Sequence, residues 1–259
     1  MMDRMLDGQV AIVTGGSGGI GRAICRCLAG YGAKVIVHYR AAQDAALELV
    51  EALEGEGRQA RAIGADLSTA KGCESLVAAS REAFGTATIL VNNAALQPVA
   101  AFERISAADL ASMLATNVQG PFRLMQLFAE GVIEAGIRDA SIVNIASIEG
   151  SRPAIGHSHY ATSKSALIMA TRAAALELGR HNIRVNSVSP GLVDRDGLEE
   201  EWPEGVGRWR RSAPLGRLGA PDDVANAVAY LASPLAGWIT GHDLVIDGGA
   251  SISPAFGTE

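Results

Sequence analysis

Residues 157 to 164 read His-Ser-His-Tyr-Ala-Thr-Ser-Lys, and place a phenol, Tyr160, four positions ahead of an ammonium, Lys164. On a helix, positions four apart sit one above the other. A free tyrosine loses its proton near pH 10, too high for easy exchange at neutrality. A nearby ammonium favours the phenolate and lowers that value. Each unit of lowering corresponds to about 1.4 kcal/mol, so a shift of roughly two or three units makes Tyr160 a usable acid/base. Ser147, thirteen residues upstream, offers a hydroxyl that can hydrogen-bond a substrate oxygen while Tyr160 gives or takes its proton. The implied chemistry is proton transfer at an alcohol or carbonyl oxygen. Tyr-x-x-x-Lys is also an ordinary helix start, so the rest of the chain must supply its context.

A second chemical feature is Thr-Gly-Gly-Ser-Gly-Gly-Ile-Gly, residues 14–21, in which Gly15, Gly19 and Gly21 form G-x-x-x-G-x-G after an apolar run. Glycines at a strand-to-helix turn let the backbone approach a pyrophosphate. The helix from Ile20 aims its free N–H groups and positive dipole end at that charge. No Lys-Ser/Thr follows the last glycine, so the loop is not a mononucleotide P-loop. The second strand ends in His38-Tyr39-Arg40, with Tyr39 where an acidic residue would bind a ribose diol and Arg40 directly after it. A guanidinium suits a 2′-phosphate. The expectation is NADP(H) in preference to NAD(H), with NAD(H) possible.

These features need elements to position them. Apolar runs recur at 9–15, 33–39, 59–66, 88–94, 140–147, 183–191 and 243–249. Several lack polar alternation, as strands covered on both faces do. Helical stretches with glycine stops lie between them, for example 20–32. Strand-helix repetition predicts an α/β fold: a doubly wound, Rossmann-type parallel sheet of about seven strands with helices on both faces. No linker divides the 259 residues, so a single dinucleotide-binding and catalytic domain spans 1–259. Residues 194–218 break the rhythm, and length and composition mark them as a substrate lid. Trp202 and Trp209 within it, seven apart, are expected to share a helical face and pack inward.

Composition narrows the function classes. The formal net charge of −6 argues against a nucleic-acid partner. No stretch is long and apolar enough to span a bilayer, and the opening residues lack a signal peptide's apolar core. Cys25, Cys27 and Cys73 show no disulfide framework, and Cys25-x-Cys27 lacks zinc-ligand spacing. Thiols buried in a reducing cytoplasm, and no metal, are the expectation.

Taken together, residues 14–21, Asp66-Leu67, Asn92-Asn93-Ala94-Ala95, Asn117, Ser147, Tyr160-x-x-x-Lys164, Pro190-Gly191 and Asp247-Gly248-Gly249 resemble the short-chain dehydrogenase/reductase family over nearly the whole chain. The resemblance implies a nicotinamide-dependent carbonyl reductase or alcohol dehydrogenase with a tetrad of Asn117, Ser147, Tyr160 and Lys164. By the same resemblance Lys164 holds the nicotinamide ribose, Asn117 anchors a water leading from Lys164 to solvent, and Asp66 contacts the adenine. Gly15, Ser17, Gly19, Ile20, Gly21, Tyr39, Arg40, Asp66, Leu67, Asn93, Ala94, Tyr160, Lys164, Pro190 and Gly191 then form the cofactor site. One departure is Arg195, where the family often has threonine; it could pair with the pyrophosphate or with Asp194 or Asp196.

Glu149, His157, His159, Trp202, Trp209 and Gln97 occupy positions that face substrate in this family, and their polarity suggests a sugar or polyol. The alternatives are a 3-oxoacyl-[acyl-carrier-protein] reductase and a non-catalytic NADP-binding regulator. The stretches 118–133 and 160–178 are more apolar than one-faced helices need, which points to a homodimer or homotetramer. The other way to cover them is the C-terminal tail, Ser-Ile-Ser-Pro-Ala-Phe-Gly.

Overall fold

The structure is a computed structural model and describes residues 4–252. The tail from residue 253 onward lies outside the described residues, and with it most of the segment considered as a helix cover. Each apolar run becomes a strand: β1 Val10–Val13, β2 Lys34–Tyr39, β3 Ala60–Gly64, β4 Ile89–Asn92, β5 Ala140–Ile145, β6 Ile183–Pro190 and β7 Asp243–Ile246. All pairings are parallel, in the order β3-β2-β1-β4-β5-β6-β7. Nine helices among the described residues connect them: α1 Gly19–Gly30, α2 Gln43–Gly55, α3 Ala70–Phe84, α4 Ala107–Leu114, α5 Gly120–Glu134, α6 Ser158–Leu178, α7 Leu198–Glu201, α8 Pro203–Ser212 and α9 Pro221–Ala232.

The strands lack polar alternation because both faces are covered. Ala11, Val13, Val35 and Val37 pack on one side with Ile24 and Leu28 of α1, Leu49 of α2 and Val228 of α9. Their neighbours Val10, Ile12 and Ile36 face the other way, against Leu76 of α3 and Leu124, Phe128 and Val132 of α5. Local signals end the helices where expected. Thr69 caps α3 by accepting from the Gly72 N–H at 3.1 Å, and Gly85, at φ +88°, stops it. The chain leaves β1 toward β2 on one side and returns as β4 on the other. The crevice at that reversal, outside the strands' carboxyl ends, is where open α/β sheets bind ligands.

Residues 194–218 contain α7 and α8 and a small apolar cluster of their own, Leu198, Val206 and Leu218, packed with Leu192 and Trp209. The expected pairing of the two tryptophans is corrected here. Trp209 turns inward and its indole N–H donates to the Arg217 carbonyl at 3.3 Å. Trp202 stays 47% exposed, with Arg208 5.9 Å from its ring. The reason is backbone geometry: Trp202 sits between α7 and α8 at φ −144°, ψ 58°, outside either helix, so helical spacing does not apply to it. The thiols of Cys25, Cys27 and Cys73 are free, the first and last buried and Cys27 half-buried.

Candidate active site

The glycine turn leaves β1 at Thr14, whose hydroxyl accepts from the backbone N–H groups of Asn93 at 2.8 Å and Ala94 at 3.0 Å. The Asn93 amide donates to the carbonyls of Thr14 at 2.9 Å and Gly15 at 3.2 Å. The turn is thereby fastened to the end of β4. Gly15 has φ +62°, and a Cβ on Gly21 would come within 2.1 Å of the Gly15 carbonyl oxygen, so both positions require glycine. At Gly19 a Cβ would meet nothing within 4 Å, leaving the helix N-terminus open. No side chain caps it, and no acidic residue stands in the first turn of α1. An open glycine cradle at an uncapped helix start fits a dinucleotide pyrophosphate. Ser17 and Ile20 are half-buried in the same turn.

Sequence reasoning passed over His38, which stitches this turn to its neighbours. Gly15 N–H donates to His38 Nδ1 at 3.0 Å, so Nε2 carries the proton that reaches the Ala65 carbonyl at 3.0 Å. Burial lowers its pKa, in keeping with a neutral ring. The available signal was a histidine among apolar neighbours at the end of β2, directly before Tyr39-Arg40. Tyr39 then lays its ring over Gly64, where a Cβ would lie 2.9 Å from the ring. The Asp66 carboxylate accepts from Ser68 N–H at 3.0 Å and Ser68 Oγ at 2.7 Å. These bonds hold it below the usual carboxylate range, and the Arg40 charge adds to that. Leu67 is buried beside it.

At the carboxyl end of β5, Ser147 caps a short turn and accepts from the Glu149 N–H at 3.1 Å. Tyr160, 7% exposed, and Lys164, 2% exposed, come from the first turns of α6. Lys164 Nζ lies 5.5 Å from the Tyr160 ring centroid and donates to the Ile145 carbonyl at 2.7 Å. A hydrogen bond from Ser147 lowers the phenol's pKa, but burial outweighs it and Glu149 adds to burial, so the phenol is pushed up to about 12. In the protein by itself, burial thus outweighs the lowering expected from the Tyr160–Lys164 spacing. Burial also brings the Lys164 ammonium down to about 8.

Asn117 sits in a widened, π-type turn at Ala115–Gln119 between α4 and α5, a distortion frequent at functional sites. Its carbonyl accepts from Leu96 N–H at 2.8 Å, and its amide donates to the Leu96 carbonyl at 2.9 Å and Ser163 Oγ at 3.0 Å. It therefore clasps the loop after β4 to the residue preceding Lys164, and does not bond Lys164 itself. Pro190 ends β6. A Cβ on the following Gly191 would meet the Trp209 ring at 2.5 Å. Arg195 pairs with Glu201, a partner not foreseen; its backbone N–H donates to the Asp194 carboxylate and its guanidinium to the Asp196 carbonyl.

Glu149 and His157 also come together: His157 Nδ1 lies 2.9 and 3.0 Å from the two Glu149 oxygens. The His157 ring stands edge-on to Tyr160, with centroids 6.0 Å apart. His159, by contrast, is buried, and its Nδ1 has no hydrogen-bond partner among the described residues. Gln97 is exposed. Among the described residues no three His, Cys, Asp or Glu side chains gather as a metal would require. No helix among them is long and apolar enough to cross a membrane.

Residues 15–251 match the family model described as Enoyl-(Acyl carrier protein) reductase. An L-rhamnose 1-dehydrogenase (NAD(P)(+)) of Azotobacter vinelandii is 35% identical over 96% of this chain and 99% of its own. A short-chain dehydrogenase/reductase of Serratia marcescens superposes with a TM-score of 0.89 at 39% identity, covering 96% of this chain and 100% of that one. A blue fluorescent protein from a metagenomic library, solved with NADPH, gives 0.88 at 36% identity over 96% and 100%. The chain belongs to the short-chain dehydrogenase/reductase family. It is accordingly an NAD(P)-dependent oxidoreductase acting on alcohol and carbonyl groups.

Proposed function

We propose that the protein is an NADP(H)-preferring oxidoreductase interconverting a carbonyl and a secondary alcohol, with Tyr160 as acid/base. The observation that carries this is the convergence of Ser147, Tyr160 and Lys164 at the end of β5, two strands from the glycine turn on the same edge of the sheet. A bound nicotinamide supplies or accepts the hydride. Ser147 donates to the substrate oxygen and Tyr160 protonates it on reduction, or takes its proton on oxidation. Lys164 places positive charge under the phenol and favours phenolate during proton transfer. Asn117 holds the backbone that surrounds this group. Asp66 and Leu67 border the adenosine end, Asn93 and Ala94 support the turn, and Pro190-Gly191 flanks the nicotinamide.

The NADP preference rests on Arg40. It follows Tyr39, forms no side-chain hydrogen bond among the described residues, and its charge acts on Asp66 just past the end of the neighbouring strand. An NADPH-bound neighbour of 36% identity supports that direction. Residues 194–218 serve as the substrate lid over a single domain. Their Trp209 lies against Gly191, so lid position and the cofactor-side backbone are mechanically linked. Phe122 and Ile133 of α5 and Met169 and Leu176 of α6 are exposed apolar side chains, which supports assembly through these helices into a homodimer or homotetramer of a cytoplasmic enzyme. A screen of ketones, sugars and acyl thioesters with NADPH and NADH tests the function. Turnover of a carbonyl substrate, faster with NADPH, is expected; nucleotide binding without turnover of any substrate would contradict it.

A further inference from the structure

The two segments that present the catalytic hydroxyls also deliver a carboxylate and an imidazole. Glu149 lies two residues past Ser147 and gives its backbone N–H to the Ser147 hydroxyl at 3.1 Å. His157 lies three residues before Tyr160, at the cap of α6. Their side chains are only 15% and 19% exposed, so neither is a solvated loop group. Both carboxylate oxygens converge on the same nitrogen, Nδ1, at 2.9 and 3.0 Å. A carboxylate only accepts hydrogen bonds, so Nδ1 carries the proton. On a neutral ring Nε2 is then an acceptor, and among the described residues no protein group bonds it.

The couple carries a cost. It makes proton loss from Tyr160 harder, because the Glu149 charge pushes the phenol upward. An apolar pair would fill the same space without that penalty. We infer that His157, oriented by Glu149, accepts a hydrogen bond from a second hydroxyl of the substrate, on the carbon next to the reacting one. The substrate class is therefore vicinal diols and α-hydroxy carbonyl compounds, the chemistry shared by sugars and polyols. This deepens the reading of Tyr160 as acid/base and rests on it. Ring centroids 6.0 Å apart bring the imidazole beside the phenol, so one small substrate can reach both, one oxygen held by Tyr160 and Ser147 and the other by His157. The fixed negative charge beside the reacting carbon disfavours anionic groups there. A buried polar acceptor also rejects an analogue lacking the hydroxyl, which would leave it unpaired.

The test compares a vicinal cyclohexanediol with cyclohexanol, and hydroxyacetone with acetone, using both nucleotides. Wild type is compared with His157→Phe and with Glu149→Gln, whose change of shape is minimal. The expected wild-type kcat/KM ratio favours the hydroxylated partner by roughly tenfold or more. In His157→Phe that ratio collapses toward one, chiefly through KM, and Glu149→Gln moves it in the same direction. A wild-type ratio near one, or a ratio unchanged in both variants while all rates fall together, would overturn the inference and leave the couple as a prop for Tyr160. Turnover of none of these compounds, nor of any other carbonyl or alcohol, would overturn the oxidoreductase reading and this inference with it.

Discussion

A phenol buried to 7% exposure is a weak acid until positive charge is brought to bear on it. In the protein by itself Tyr160 stands at about 12, so its protonated form dominates at neutral pH. Carbonyl reduction, which needs that proton, is expected to hold steady around neutrality, whereas alcohol oxidation needs phenolate and rises with pH; initial rates in both directions check this. Lys164 gives a second pH prediction. Folding lowers its pKa from 10.5 to about 8. Below the lower value both states carry the proton and the desolvation penalty is fully present. Between the two values the unfolded chain binds the extra proton, so stability rises with pH, and above 10.5 the penalty is gone. Lys164→Met should thus be inactive yet more stable at neutral pH. The penalty removed is about 3 kcal/mol, offset by about 1 kcal/mol for the Ile145 carbonyl left without its donor. Denaturant titrations should show that advantage shrinking as the pH rises from about 8 to 10.5. At the other end of the site, Arg40→Asp should reverse the NADP(H)-over-NAD(H) preference, read from kcat/KM with each nucleotide.

The seven strands could be read from the chain because each was a short apolar run between glycine-marked helices. The observed β4, Ile89–Asn92, lies inside the expected 88–94, and its end was overrun because no Gly or Pro punctuates the chain between Asn92 and Pro98. The glycine turn was equally legible, since Gly21 is demanded by a carbonyl within its own loop. Gly21→Ala should weaken nucleotide binding by roughly 5- to 150-fold, taking about 1–3 kcal/mol for overpacking such a contact; fluorescence titration with NADPH measures it. What sequence could not show were pairings across loops. Glu149 and His157 are separated by an irregular turn, His38 acts through backbone groups of two distant segments, and Arg195 chose Glu201 over its nearer carboxylates. Trp202 misled because periodicity was applied across a helix break. Trp209, which does pack, links the 194–218 segment to Gly191. Trp209→Ala is expected to raise KM with less effect on overall stability, compared by kinetics and thermal melts.

Over the whole molecule, one reversal in strand order places every chemical group on a single edge of the sheet. The turn after β1, Asn93 after β4, Ser147 after β5 and Pro190-Gly191 at β6 all lie at carboxyl ends. The same arrangement leaves α5 and α6 facing outward with Phe122, Met169 and Leu176 uncovered among the described residues. Light scattering is expected to give a dimer or tetramer at micromolar concentration, and a monomer would contradict assembly through these helices. The central claim is that Tyr160 exchanges the proton, and single-turnover hydride transfer in Tyr160→Phe, with NADPH binding measured in parallel, tests it most directly. Nucleotide affinity should stay close to wild type while the transfer rate falls by roughly 10²- to 10⁴-fold, the range for losing a positioned acid/base. Transfer at the wild-type rate in a variant that binds NADPH normally would contradict it.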